Sequence, residues 1–221
     1  MADSTAAASP LSELPPQAFL RRDAAPDAEF YRFERLVTHI DPAAVAAVTQ
    51  LYRQFFPAGG DILDLMSSWV SHLPPEVAYN RVAGLGLNAA ELAHNPRLTE
   101  RVVQDLNQQP ALPYASASFD GAGICVSVQY LTQPVAVFQE LRRVLRPNAP
   151  LVVTFSNRCF PDKAIYAWQT LDNGGHVQLV QHYFAAAGFG PAQVFAHRPK
   201  GGDPLYGVVA HSHEAVTPAI Y

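Results

Sequence analysis

The chain reads as an α/β protein: a mostly parallel sheet with helices on both faces and an antiparallel hairpin at the carboxyl end. Short apolar runs dense in β-formers alternate with stretches whose apolar residues recur at three- and four-residue spacing. Such alternation demands crossovers that pass over the sheet faces. The last two apolar runs are separated only by the turn Pro199-Lys-Gly-Gly-Asp-Pro204, which makes them a hairpin.

Taken in order, residues 1–26 are rich in Ala, Ser and Pro and read as a flexible arm. Phe30, Phe33, Val37 and Ile40 predict an amphipathic helix over 27–40 with Asp27 as its cap. Asp41-Pro42 opens a second helix carrying Val45, Val48, Leu51, Tyr52 and Phe55 on one face. Together, 27–57 form a helical lead-in or lid. Ile62, Leu63 and Leu65, broken by Asp64, form the first strand, and Pro74-Pro75 begins a short helix. Arg81–Leu87 is the second strand, and Asn88-Ala-Ala-Glu91 fits a capping box at a helix start. Val102–Leu106 is a third strand, and Phe119–Val128 contains a fourth. Pro134–Leu145 is a helix, Leu151–Phe155 a fifth strand. Lys163–Leu171 and Val177–Ala187 are helical, the second stopped by Gly188. Gln193–Ala196 and Leu205–Ala210 are the hairpin strands; 58–213 is the main domain and 214–221 a tail.

Composition narrows the function. The net charge is −4, only two of the 15 basic residues are lysines, and the arginines are scattered, so no stripe fits a phosphate backbone. Cys125 and Cys159 have neither metal-ligand nor disulfide-framework spacing. No secretory signal and no apolar run of about 18 residues is found. The expectation is a cytoplasmic protein with a small-molecule partner, without nucleic acid or membrane. His211-Ser-His213 with Glu214 is read as a solvated end rather than a metal site.

In open α/β sheets, ligands bind beyond the carboxyl ends of the strands. Asp61-Ile-Leu-Asp-Leu-Met-Ser-Ser68 is such a strand and the loop beyond it. Asp64 is a candidate organiser of that loop, with Ser67 and Ser68 as hydroxyl donors to a ligand carboxylate.

From Asp105 to Pro147 the cadence is that of one family. Asp105-Leu106, Leu112-Pro-Tyr114, Ser118-Phe-Asp120 and Phe138-Gln-Glu-Leu-Arg-Arg-Val-Leu-Arg-Pro147 together resemble class I S-adenosylmethionine-dependent methyltransferases of the type-11 kind. The resemblance spans Asp61 to Gly188 and implies a seven-stranded Rossmann-like sheet and S-adenosyl-L-methionine as cofactor. It implies that Asp105 meets the adenine amino group, that Leu106 supplies backbone, and that Gln129 lines the methionine side. Two departures stand out. Where the family has a Gly-x-Gly-x-Gly loop, this chain has Leu65-Met-Ser-Ser-Trp-Val-Ser71, placing Met66 to Trp69 beside the ligand. Trp69 covering the sulfonium would contribute ~0.5–2 kcal/mol. Where the family has a ribose-binding acid there is Gly86, leaving Asn88 as acceptor or simply as a helix cap.

The expected function is methyl transfer to a small-molecule nucleophile, the alternative a non-catalytic binding or scaffold protein of the same fold. His72 is the candidate general base, because an unperturbed pKa of ~6.5 suits proton removal. Tyr130 and the loop Ser156–Pro161 are expected to hold the substrate: Asn157 by hydrogen bonds, Arg158 through a carboxylate, Phe160 by stacking.

Overall fold

The computed structural model describes residues 14–212 of the 221-residue chain. Its seven strands are β1 (Asp61–Leu65), β2 (Arg81–Gly86), β3 (Glu100–Val103), β4 (Gly121–Cys125), β5 (Pro150–Ser156), β6 (Gln193–His197) and β7 (Leu205–His211). They form one sheet in the order β3-β2-β1-β4-β5-β7-β6, parallel except that β7 runs against both neighbours. The expected hairpin thus delivers β7 into the sheet next to β5 and leaves β6 at the edge.

Both sheet faces are buried, and the sequence alternates between two cores. Leu63 and Leu65 of β1, and Leu151, Val153 and Phe155 of β5, point to one face. There they pack under α4 (Pro134–Val144), α5 (Tyr166–Thr170) and α6 (Asn173–Ala186). Ile62 and Val152 point the other way, onto α2 (Pro42–Phe55) and α3 (Ala89–His94). Strands buried on both faces read as continuous apolar runs, which is why they were legible.

The helix starts follow their caps. Asp41 Oδ1 accepts from Ala44 N at 2.8 Å, and Asp172 Oδ1 accepts from Gly175 N at 2.8 Å. Gly188 takes φ +79 just past α6, a left-handed conformation that costs glycine nothing.

The residues that carry the family cadence clamp the scaffold. Asp120 accepts from Asp61 N (2.8 Å) and Arg146 Nη1 (2.5 Å), joining the starts of β1 and β4 to the end of α4. Glu140 accepts from Leu112 N, while Arg143 donates to the Leu112 and Tyr114 carbonyls. That pair fixes the Leu112-Pro-Tyr114 turn against α4.

Several boundaries differ from expectation. Residues 14–26 are not a loose arm: Ala18 is buried in a 3-10 turn at Pro16–Phe19, and Arg21 pairs with Asp27 at 2.8 Å. The helix expected over 27–40 is only α1 (Asp27–Phe30), and the chain then runs irregularly to Asp41. Its apolar periodicity does not reach a core: Phe33 and Val37 are exposed, and only Ile40 is buried. No helix begins at Pro74-Pro75. Residues 213–221, which include His213 and Glu214, lie outside the described residues.

Candidate functional site

β1 and β4 are neighbours, and from them the chain winds outward in opposite directions, which puts a crevice beyond their carboxyl ends. A cavity of about 520 Å³ lies there. Its floor comes from the ends of four strands: Met66–Ser68 after β1, Gly86–Asn88 after β2, Gln104–Asn107 after β3 and Cys125–Ser127 after β4. Its roof comes from the lead-in (Asp27, Tyr31, Arg35, Thr38, His39), its far wall from Asn157–Phe160.

Asp64 sits behind this floor, buried, and does not line the cavity. Its Oδ2 accepts from Ser67 Oγ (2.6 Å) and Ser71 Oγ (2.7 Å). Burial pushes its carboxyl up to about 6, against the pull of those two hydroxyls. It therefore holds the loop through the Ser67 and Ser71 hydroxyls. Ser67 Oγ is spent on Asp64; Ser68 Oγ donates to Glu91 Oε2 at 2.6 Å. Neither serine is a free donor to a ligand.

Without glycines, the loop turns at Met66, which takes φ 57, and again at His72, at φ 51. The turn leans toward β2, where Ser67 N donates to Leu85 O at 2.8 Å. A Cβ on Gly86 would lie 2.2 Å from Ser67 O. That contact explains the missing ribose acid: no side chain fits at 86 while the loop crosses there.

Asn88 proves to be the cap of α3. Its Oδ1 accepts from Ala90 N and Glu91 N, and its Nδ2 donates to Tyr31 O, so no lone pair is left for ribose hydroxyls. The capping box is not closed either, because Glu91 turns its carboxylate to Arg35 N (2.8 Å) and Ser68 Oγ.

Three further expectations are corrected. Trp69 does not line the cavity; its indole N–H donates to Val37 O at 3.0 Å and fastens the lead-in. Gln129 is buried below the floor, donating to Val126 O, and Ser127 lines the cavity in its place. His72 does not line the cavity: the loop doubles back onto α2, where Thr49 Oγ1 donates to His72 O. The histidine on the cavity is His39, and desolvation lowers its pKa.

Asp105 and Leu106 do line the cavity, beyond β3. Asp105 Oδ1 accepts from Asn107 N at 2.9 Å, and Oδ2 has no protein partner among the described residues. Tyr130, Asn157, Arg158 and Phe160 line it too. Tyr130 Oη accepts from Phe160 N at 2.9 Å, so tyrosine and loop hold each other. Arg158 is 64% exposed, and among the described residues its charged partner is Asp203, 3.9 Å away.

The residues that sequence reasoning missed come from the lead-in. Asp27 is buried and accepts from Arg21 and Asn107, with Lys163 Nζ 3.2 Å away. Burial raises its pKa, but Arg21, Asn107 and Lys163 outweigh that and hold it below the ordinary carboxylate value. Four ties cross the cavity rim: Asp27 with Asn107, Tyr31 O with Asn88, Arg35 N with Glu91, and Val37 O with Trp69. In the sequence Asp27 reads only as a helix cap, and nothing near it signals such a tie.

The residues fit a nucleoside-based sulfonium in part. The cavity volume is that of a small-molecule site. Asp105 keeps a carboxylate oxygen free, and Ser127 Oγ is buried with no partner. The ribose position alone has no acid.

Comparison with known proteins agrees with this architecture. Residues 68–153 match a family described as a methyltransferase domain. No curated protein matches the sequence. Among solved structures, phosphoethanolamine N-methyltransferase 2 of Haemonchus contortus, determined with S-adenosyl-L-methionine, is 14% identical with a TM-score of 0.61. That match covers 91% of this chain and 61% of that one. A methyltransferase from Aquifex aeolicus is 13% identical, with a TM-score of 0.55 over 90% of this chain and 100% of that one. The (4+2) cyclase SpnF is 16% identical, with a TM-score of 0.56 over 76% and 81%. The chain has the fold of the class I S-adenosylmethionine-dependent methyltransferases, and residues 68–153 are similar to a methyltransferase-domain family.

Proposed function

We propose that the protein transfers a methyl group from S-adenosyl-L-methionine to a small-molecule nucleophile. The observation that carries this reading is the roofed cavity over the β1–β4 crevice, with Asp105 at one end and an aromatic wall at the other. When bound, the cofactor supplies an electrophilic methyl group on a sulfonium. Asp105 Oδ2 would accept from the adenine amino group, and Leu106 would supply apolar surface beside it. Ser127 Oγ and the Met66–Ser68 backbone would hold the amino-acid end. Tyr31 and Phe160, 6.5 Å apart between ring centroids, keep water from the acceptor. His39, held neutral near pH 7 by its lowered pKa, takes the acceptor's proton on a ring nitrogen. Most of the rate comes from alignment rather than from acid–base chemistry.

A second reading, ligand binding without methyl transfer, is favoured by one observation: Ser67 O occupies the place of a ribose-binding side chain. Calorimetry with S-adenosylhomocysteine tests the first reading. Saturable heat supports it; silence at millimolar ligand ends it.

A further inference from the structure

Every acid on the cavity wall near the lead-in is already engaged. Asp27 is held by Arg21, Asn107 and Lys163. Glu91 accepts from Arg35 N and Ser68 Oγ. Arg35, by contrast, has a guanidinium with no carboxylate partner among the described residues. Nη2 donates to Phe30 O at 2.9 Å, while Nη1 is shut off from solvent and meets no acceptor. The guanidinium lies 4.6 Å from the Phe30 ring centroid and 5.6 Å from those of Tyr31 and Phe160. These faces hold a cation in place, but they do not give an N–H the charged acceptor that arginine's fork is built for. A buried donor without a partner at the edge of a cavity requires an explanation.

Phe160 is the hub of the same corner. Phe30 and His39 pack against it at 5.3 and 5.4 Å, both edge-to-face, and Tyr130 stacks on it at 6.0 Å. The corner therefore offers flat apolar walls with one unpaired cation among them. Arg158, the basic residue the sequence singles out for a carboxylate, projects largely into solvent.

We infer that the methyl acceptor is a small planar acid whose carboxylate draws the Arg35 guanidinium, with its covered Nη1, toward the cavity, and whose ring packs among Phe160, Tyr31 and His39. This rests on the methyltransferase reading for the word acceptor, but not for the site itself.

The test is calorimetry of the full chain with 4-hydroxybenzoate and its neutral isostere 4-hydroxybenzamide, with and without S-adenosylhomocysteine. The acid should bind about tenfold or more tightly than the amide, the difference expected of one charge-assisted contact. Arg35→Met should bring the ratio to about one, with S-adenosylhomocysteine affinity unchanged, and Arg35→Lys should restore part of it. Equal binding of acid and amide, or no binding of the acid at millimolar concentration, overturns the inference. So does a ratio that survives Arg35→Met, or one that vanishes in Arg158→Met instead. If S-adenosylhomocysteine fails to bind while the acid preference persists, the cofactor reading falls and the anion site stands.

Discussion

The two sides of the cavity are built in opposite ways. On the β1–β2 side the polar groups satisfy one another: Asp64 takes the Ser67 and Ser71 hydroxyls, Asn95 donates to Ser71 Oγ and Ser68 O, and Ser68 donates to Glu91. On the side made by the lead-in and the β5 loop, Arg35 Nη1 has no partner, and Asn157 and Arg158 are exposed. A closed network fixes geometry; an open one leaves capacity for a ligand. The difference teaches that the first side positions and the second selects.

The comparison breaks most severely at the joint between the sides. Asp27→Ala leaves Arg21 without its carboxylate and Lys163, wholly buried, with only the partly exposed Asp23, 3.0 Å away, among the described carboxylates. Breaking such a buried cluster costs about 3–5 kcal/mol, to be read from urea unfolding.

Next comes the closed side's own carboxylate. Burial pushes the Asp64 carboxyl up to about 6, above the ordinary carboxylate value. The raised value means the folded state binds this proton more tightly, so its penalty is full above pH 6 and is relieved as pH falls toward 4. That displacement corresponds to at most about 3 kcal/mol. His39, His72 and His176, whose pKa values are lowered, act in the opposite sense over nearby pH. The measure is therefore the difference between the unaltered chain and Asp64→Asn: between pH 7.5 and 4 the unaltered chain should gain stability relative to the variant.

Gly86→Ala sharpens the comparison, because its Cβ would meet Ser67 O at 2.2 Å and push the loop off β2. We expect a loss of about 1–3 kcal/mol in stability and at least about tenfold in S-adenosylhomocysteine affinity by calorimetry. The smallest effect belongs to His72. Asn tolerates the left-handed backbone found there, so His72→Asn should shift stability by under ~0.5 kcal/mol and leave S-adenosylhomocysteine affinity unaltered. A tenfold loss would return His72 to the site.

The scaffold was legible because its signals are local. Ile62, Leu63 and Leu65 feed the two faces by alternation, and Asp41-Pro42 and Asn88 announce helix starts within a few residues. The cavity's floor was legible in position only. The loop Met66–Ser68 was singled out because it follows a strand end, and Gly86 and Asp105–Leu106 because of the family resemblance; all line the cavity, yet the partners of Ser67, Ser68 and Asn88 were not foreseen. Each is taken up by a group distant in sequence: Ser68 by Glu91, Asn88 by Tyr31. The lead-in misread as helix shows the same limit. Phe30, Phe33 and Val37 have helical spacing, but backbone ties at Tyr31, Arg35 and Val37 to the strand-end loops hold the chain irregular.

By itself the sequence determined the α/β class, the parallel sheet with its closing hairpin, and the edge at which a ligand binds, since alternation, caps and turns act between near neighbours. Only the tertiary structure decided which polar groups remain free. That question is settled by pairing across 23 residues for Ser68 and Glu91, and 138 for Lys163 and Ala25. A side chain's capacity to bind is what the rest of the fold leaves unspent, and no local pattern encodes the remainder.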